Sequence, residues 1–518
     1  MEKRTARGLM RRDRHTGSHR GAGLFPRLRG ILRHACREPG NGPVLVGIAS
    51  LLWLLLRSGM KPSRAAYPCQ KAALANASAW LGTFALPALW RRPAGLEGPG
   101  VRPIRPTRLR FLVFLASTVL LAGIIAADFG LFSNAKALGT EQVLTLNLTG
   151  KQLSTNSYSD IFAVQGTTGA DGGFQRLVDL MGQRGPSFYS LIGPKDVVII
   201  KVNSQWDERG GTNTDLVRAI IESILKHPGG FTGEVVIADN GQAQAGAAGA
   251  GGSLDWKSNN AEDRTQSMQK VADSLSARGK VSTALWDRIT TTRVAEYSEG
   301  DARNGYVVDS SPSPQTGIVV SYPKFETPYS TLISFKRGIW NPALRSYDSD
   351  RLKVINVPVL KSHLMYGVTA SVKHYMGVVS EKLTHSAHGS VGSGGMGTEM
   401  AETRIPVLNV IDAIWINAGP GRGPLTRYAD ASRVNIIAAG RDPVALDYWA
   451  AKNILVPAAV KLGYKNADSL NPDITRNGYF GDWLQLSMKE LQRAGYPSTI
   501  DMDRVNITVS SLEELRQD

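Results

Sequence analysis

Lysines set inside or at the ends of apolar stretches are the most chemically suggestive residues of this chain. Lys201 lies between Ile200 and Val202 in the run DVVIIKVN, residues 196–203. A cation in a stretch patterned for burial needs a counter-charge or a ligand. Two outcomes are open: an anion or metal site, or a structural ion pair with Asp239. Polar groups also end the other apolar runs. Asn203 ends the first, and Asp239, Asn240 and Gln242 end EVVIAD at 234–239. Lys361, Ser362 and His363 follow 353–360, and Gly440, Arg441 and Asp442 follow 434–439. In open α/β sheets, ligands sit beyond the carboxyl ends of the strands. Lys201 and Lys361 would supply positive charge there, Asp239 and Asp412 a base or ligand, and His363 an acid/base group or ligand. The catalytic candidates are therefore Lys201, Asp239, Lys361 and His363.

Three further clusters are candidates. The turn 210–214, GGTNT, precedes a helical pattern, so its N–H groups could take a phosphate or carboxylate with Thr212, Asn213 and Thr214. Plain N-capping is the simpler reading, and the Gly-x4-Gly-Lys spacing of a P-loop is absent. His385 and His388 stand one helical turn apart, with His363 upstream. A shared divalent metal such as Zn, Fe or Ni would suit them, although the Glu of H-E-x-x-H is missing. The alternative is a pair of loop histidines. The turn NAGPGRGP at 417–424 could wrap an anion with Arg422, or be a tight turn only. No G-x-S-x-G is present.

The elements that must position these groups read as α/β. The runs 196–203, 234–239, 353–360 and 434–439 are short and nearly continuously apolar, as strands buried on both faces are. Leu216, Ile220 and Ile224, with Val217, Ile221 and Leu225, mark one face of a helix over 215–227. Glu222 and Lys226 form an i,i+4 pair on it. This β–α–β unit predicts a parallel strand pair with a right-handed crossover. Residues 260–278 and 482–494 read as helices. Strands at 306–308, 317–321 and 331–335 read as an antiparallel insertion, and 505–509 as a late strand. Asp442 followed by Pro443 opens a helix. The expected fold is a mostly parallel sheet flanked by helices, with an antiparallel insertion and an N-terminal transmembrane helix.

Charge divides the 518 residues in two. The chain carries +16 overall, yet residues 1–127 hold 21 Lys+Arg against 4 Asp+Glu, and the rest is close to neutral. The basic balance therefore describes an N-terminal region, and nucleic-acid binding is not expected. Residues 1–110 read as a basic, partly disordered cytoplasmic region with weak hydrophobic helices at 44–56 and 72–90. Residues 111–127, FLVFLASTVLLAGIIAA, are the best membrane span, roughly 26 Å long as a helix at about 1.5 Å per residue. Arg102, Arg105, Arg108 and Arg110 precede it, which places residues 135–518 outside the cytoplasm on a single-pass protein in the cell membrane. The lipid bilayer is then one partner and a small anionic ligand another. Cys36 and Cys69 are the only cysteines, which excludes a disulfide scaffold and a four-cysteine zinc site.

Several motifs occur in a recognisable order: DVVIIKVN, GGTNTDLVRAIIESI, GEVVIADNGQ, INVPVLKSH, GVTASVKHYMGVVS, VIDAIWINAGPGRGP and IIAAGRDPVALDYWAA. Together they resemble the family called domain of unknown function 362, over about residues 190–455. The resemblance implies an α/β fold and no assigned activity. Family motif positions fall on Lys201, Asn203, Thr212, Thr214, Asp239, Lys361, His363, Lys373, Gly377, Asp412, Gly419, Asp442 and Asp447. It adds Lys373 to the ligand-binding candidates, beside Asn203, Asn240, Asp412, Arg422 and Asp442. Some members carry a ferredoxin-like segment with iron–sulfur clusters. The body of this chain has no cysteine, so no such cluster is expected. Two functions follow as expectations: a membrane-anchored protein, with a strand-end site and an enzymatic role on an anionic small molecule, or a non-catalytic binding or scaffolding module at the cell surface.

Overall fold

Period-two burial decides the core. In the computed structural model, which describes residues 142–153, 157–243 and 252–512, sixteen strands are present among the described residues. They are β1 (Gln142–Val143), β2 (Ser159–Gln165), β3 (Val197–Lys201), β4 (Glu234–Asp239), β5 (Lys280–Leu285), β6 (Gly305–Val308), β7 (Ser321–Glu326) and β8 (Leu332–Ser334). Then come β9 (Gly338–Asn341), β10 (Ser346–Asp348), β11 (Leu352–Asn356), β12 (Val359–His363), β13 (Gly367–Thr369), β14 (Leu408–Asn417), β15 (Ser432–Gly440) and β16 (Val505–Ser511).

The main sheet runs β16-β2-β15-β14-β11-β3-β4-β5, with β1 on β15, β12 on β14 and β13 on β12. β14, β11, β3, β4 and β5 are mutually parallel, while β15 runs against both β14 and β2. The architecture is thus the expected mixed α/β with a mostly parallel sheet. The antiparallel insertion is a separate five-stranded sheet, β10-β9-β8-β7-β6.

Both faces of β3 are covered, which explains its unbroken apolar run. Val198 and Ile200 pack with Leu216, Val217, Ile220, Ile221 and Ile224 of the helix Thr214–Leu225. Burying each such aliphatic side chain contributes roughly 1.5–3 kcal/mol before the entropy of ordering is subtracted. Val197 and Ile199 face the other cluster, with Trp286, Phe335 and Tyr375. By the alternation of a strand, Lys201 belongs to that second face. The chain leaves β3 for β4 on one side, whereas β11, on the other side of β3, leads on toward β14. Connections diverge there, which opens a crevice at the carboxyl ends of β3 and β11.

Some expectations are corrected. The run 353–360 is not one strand: it breaks after Asn356 and resumes at Val359. Pro358 has no N–H for the ladder, and the Val357 amide already donates to the Lys201 carbonyl. Lys361 and His363 therefore lie within β12, not beyond a strand. The helix in 260–278 shrinks to Met268–Leu275, started by the Ser267 cap. The strand expected at 317–321 begins only at Ser321. Glu222 pairs with Arg278 at 3.2 Å, and Lys226 caps the helix end. Among the described residues no helix is long and apolar enough to cross a membrane. The expected span 111–127, segments 44–56 and 72–90, and the cysteines lie outside the described residues, as does most of the glycine/alanine stretch after Gly241.

Candidate functional site

At this crevice the ends of β3 and β4 hold a buried ion pair. Lys201 Nζ donates to Asp239 Oδ1 at 2.7 Å and to the Val202 carbonyl at 3.0 Å. The other carboxylate oxygen accepts from the Ser204 N–H and hydroxyl, both at 2.9 Å, and from the Gly241 N–H at 3.2 Å. Gly377 packs directly on this pair, and a Cβ there would lie 2.2 Å from both Asp239 Oδ1 and Lys201 Nζ.

Two more lysines arrive from the next part of the chain. β12 alternates, so Lys361 and His363 share one face. Lys361 Nζ donates to the Gly210 carbonyl at 2.5 Å. β13 folds back antiparallel on β12 and sets Thr369 opposite Lys361. A 3₁₀ turn, Lys373–Gly377, follows and carries Lys373 and His374. Asp447 organises its start by accepting from the Ser371 and Val372 N–H groups at 2.7 and 2.9 Å. Among the described residues Lys373 Nζ has no hydrogen bond or ion pair; the Tyr366 ring lies with its centroid 5.8 Å away.

Lys201, Asp239, Lys361, His363, Lys373 and His374 all line one cavity of about 30 Å³, together with Asn203, Thr369 and His388. Relative exposure is 0% for Lys201 and Lys361 and 5% for Lys373. Burial pushes the pKa of all three lysines down, in Lys361 and Lys373 to about 7, and the Lys373 charge adds to the effect on Lys361. Both imidazoles are held neutral for the same first reason, burial, reinforced by the nearby lysines. Their tautomers differ. His363 Nδ1 accepts from the Met365 and Tyr366 amides, which places its proton on Nε2. Asn356 Nδ2 donates to the Ser371 carbonyl and to Asn409 Oδ1, so Asn356 Oδ1 accepts from His374 Nδ1 at 2.7 Å. His374 Nε2 is then the basic nitrogen. Asn203 Oδ1, Thr369 Oγ1 and His374 Nε2 are buried without a hydrogen-bond partner among the described residues. The result is a cleft of excess positive charge with unused polar atoms.

The other sequence candidates are placed elsewhere. Thr212 accepts from the Asn203 amide and donates to the Val357 carbonyl. Asn213 caps the helix Thr214–Leu225, and Thr214 bonds Gln266. The turn 210–214 thus uses most of its side-chain groups in capping and cross-links, and Asn213 Nδ2 is buried without a partner among the described residues. Asp412 holds that turn by accepting the Asn213 amide at 2.8 Å, and burial raises its pKa to about 6. It does not line the cavity. Asn240 bonds the Val379 carbonyl at 2.6 Å. Asp442 caps the helix Pro443–Ala450, as expected, and also accepts from Ser498 and Thr499. Arg422 is exposed and stacks on Tyr464, 5.4 Å from its ring centroid.

The metal expectation is corrected. His385 sits exposed in a left-handed conformation at the end of Glu381–Thr384, while His388 belongs to the next short helix. The two imidazoles therefore do not share a helical face. Among the described residues no three His, Cys, Asp or Glu side chains converge as ligands. His363 and His388 reach the cavity; His385 does not. Sequence reasoning missed Thr369, whose role depends on the unforeseen β12–β13 hairpin. It also gave no role to His374, Asn356 and Asn409; their polar side chains inside apolar runs were the available signal.

Fold and cleft together define an α/β protein with a cationic site at a sheet switch point. Residues 347–452 match the family described as Domain of unknown function (DUF362). This is the family that its motifs resemble, and β11, β12, the turn with Lys373 and Asp447 lie in the matched segment. A thylakoid-associated protein of Synechocystis sp. is 36% identical over 130 residues, which is 23% of this chain and 39% of that protein. The chain thus spans well under half of that relative. No solved structure matches.

Proposed function

We propose that this chain is a membrane-tethered protein whose α/β body binds a small anionic molecule in the lysine-lined cleft. The observation that carries the reading is one cavity with three buried lysines and one carboxylate, Asp239, on its wall. Lys201 is neutralised by Asp239; Lys361 and Lys373 have no carboxylate hydrogen-bonded to them among the described residues. A buried, unneutralised cation is costly, and an oxyanion in the cavity would satisfy two at once. Asn203 Oδ1 and Thr369 Oγ1 supply polar atoms for its remaining contacts. The basic flank of residues 111–127 and the thylakoid-associated relative support the membrane tether, with the body outside the cytoplasm.

Isothermal titration of inorganic phosphate and of oxalate into the full chain in detergent tests the site. We expect one saturable site, weakened about tenfold or more by Lys361→Met, from the loss of a charge-assisted bond. Absence of binding, or equal binding by Lys361→Met, refutes it. An export-dependent reporter fused after residue 135 tests the topology, and an inactive fusion refutes export.

A further inference from the structure

Of the three cleft lysines, two are tied down. Lys201 holds Asp239, and Lys361 holds the Gly210 carbonyl. Lys373 has no such partner among the described residues, although it is almost fully buried. An amine desolvated beside another cation is the environment that keeps a lysine neutral and nucleophilic. The next residue, His374, lines the same cavity, and its Nε2 makes no hydrogen bond of ordinary geometry there, with the Val202 carbonyl near the ring.

We propose that Lys373 forms an imine with the carbonyl carbon of a small 2-oxo carboxylate bound in the cleft. This deepens the anion-binding reading and rests on it. The carboxylate belongs near Lys361, which has no carboxylate bonded to it among the described residues. The carbonyl belongs at the free amine. The cavity is small, about 30 Å³, which favours the smallest members of the class. In the step, the lone pair of Lys373 Nζ adds to the carbonyl carbon and the carbonyl π pair moves onto oxygen. Protons lost by nitrogen pass by way of His374 Nε2 to that oxygen. The carbon–oxygen bond then breaks, water leaves, and a carbon–nitrogen double bond remains. Asn203 Oδ1 is a waiting acceptor for the carbinolamine hydroxyl.

The test is reductive trapping of the full-length protein in detergent. Glyoxylate is the carbonyl probe and cyanoborohydride the hydride donor, and peptides are mapped by mass spectrometry. Hydride reduces the imine to carboxymethyl-lysine. Lys382 is exposed and serves as the internal reference. We expect Lys373 to be modified at least tenfold faster than Lys382, the excess to vanish with saturating inorganic phosphate, and no modification at that position in Lys373→Arg. Modification of Lys373 no faster than Lys382 overturns the proposal, and the wild-type comparison needs no variant to fold. If phosphate binds and Lys373 is not selectively trapped, imine formation fails and anion binding stands. If phosphate does not bind either, both fail.

Discussion

Replacing Gly377 with alanine adds one carbon, and the structure says what that carbon meets. A Cβ at this position falls 2.2 Å from Asp239 Oδ1, 2.2 Å from Lys201 Nζ and 2.8 Å from Lys201 Cε. Non-bonded contacts are comfortable near about 3.5 Å, so both partners must retreat by about 1 Å. Asp239 cannot do so freely, because its second oxygen is fixed by Ser204 and Gly241. The pair must therefore open. Overpacking alone costs about 1–3 kcal/mol, and breaking a buried pair about 3–5 kcal/mol. We expect Gly377→Ala to lose about 3 kcal/mol or more in urea unfolding followed by tryptophan fluorescence, for which Trp286, Trp415, Trp449 and Trp483 are buried reporters. The mechanism has a second signature. Lys201→Met removes the Nζ that clashes, so the double variant should be less destabilised than the two single losses added, by at least about 1 kcal/mol. A loss under about 1 kcal/mol for Gly377→Ala, or full additivity, would refute the reasoning.

Three further outcomes are expected. Phosphate affinity should fall about tenfold or more between pH 6 and pH 9 in titration calorimetry, because Lys361 and Lys373 have pKa values of about 7 and lose their charge across that interval. The unliganded fold should gain stability over the same rise: these folded-state values lie below the ordinary 10.5, so the unfolded chain holds more protons between them. Lys373→Met should flatten that gain in urea midpoints, and an unchanged slope would contradict it. Asp447→Ala leaves the Ser371 and Val372 amides without their acceptor, at about 1–3 kcal/mol each. Phosphate affinity should drop with it although Asp447 does not line the cavity, and Asp447→Asn should restore part of both; unaltered phosphate binding in the alanine variant would separate Asp447 from the site.

How much of this was legible in the sequence depends on the range of the interaction. The β3–helix–β4 unit reads directly, because Ile199 and Ile200 must be covered on opposite faces and the helix supplies one cover. Asp442 reads as a cap because capping is local. Lys201 reads as a charge needing a partner, and the structure supplies Asp239, the ion-pair alternative. What failed was spacing taken as shared geometry. His385 and His388 are three residues apart, yet a left-handed residue at His385 breaks the turn between them. Thr212, Thr214 and the Asn213 oxygen, which have the right chemistry for an anion site, are engaged in capping and in cross-links to Val357 and Gln266, and only Asn213 Nδ2 has no partner among the described residues of this turn. The antiparallel course of β15 and the opposition of Thr369 to Lys361 are pairings between distant or unforeseen strands, and one-dimensional periodicity does not encode partners.

The cleft also explains how a fold tolerates three buried lysines. A fully charged trio would carry a large desolvation cost, which the Lys201–Asp239 pair and the nearby Asp412 offset only in part. Lowered pKa values relieve it, since an amine that sheds its proton no longer needs a counter-ion. Lys361 and Lys373 sit close enough for the charge of one to disfavour the charge of the other. The two amines are therefore better treated as a coupled pair than as two independent cations. A carboxylate bound there would favour the charged form of the amine it faces. The hydrogen bonds already in place distinguish the two amines. Lys361 is held by a carbonyl oxygen, which favours its ammonium form, whereas Lys373 has no hydrogen bond among the described residues and only the Tyr366 ring, its centroid 5.8 Å away. Under the proposal, this difference assigns the anion to Lys361 and the carbonyl to Lys373, so binding and reactivity would share one electrostatic cause.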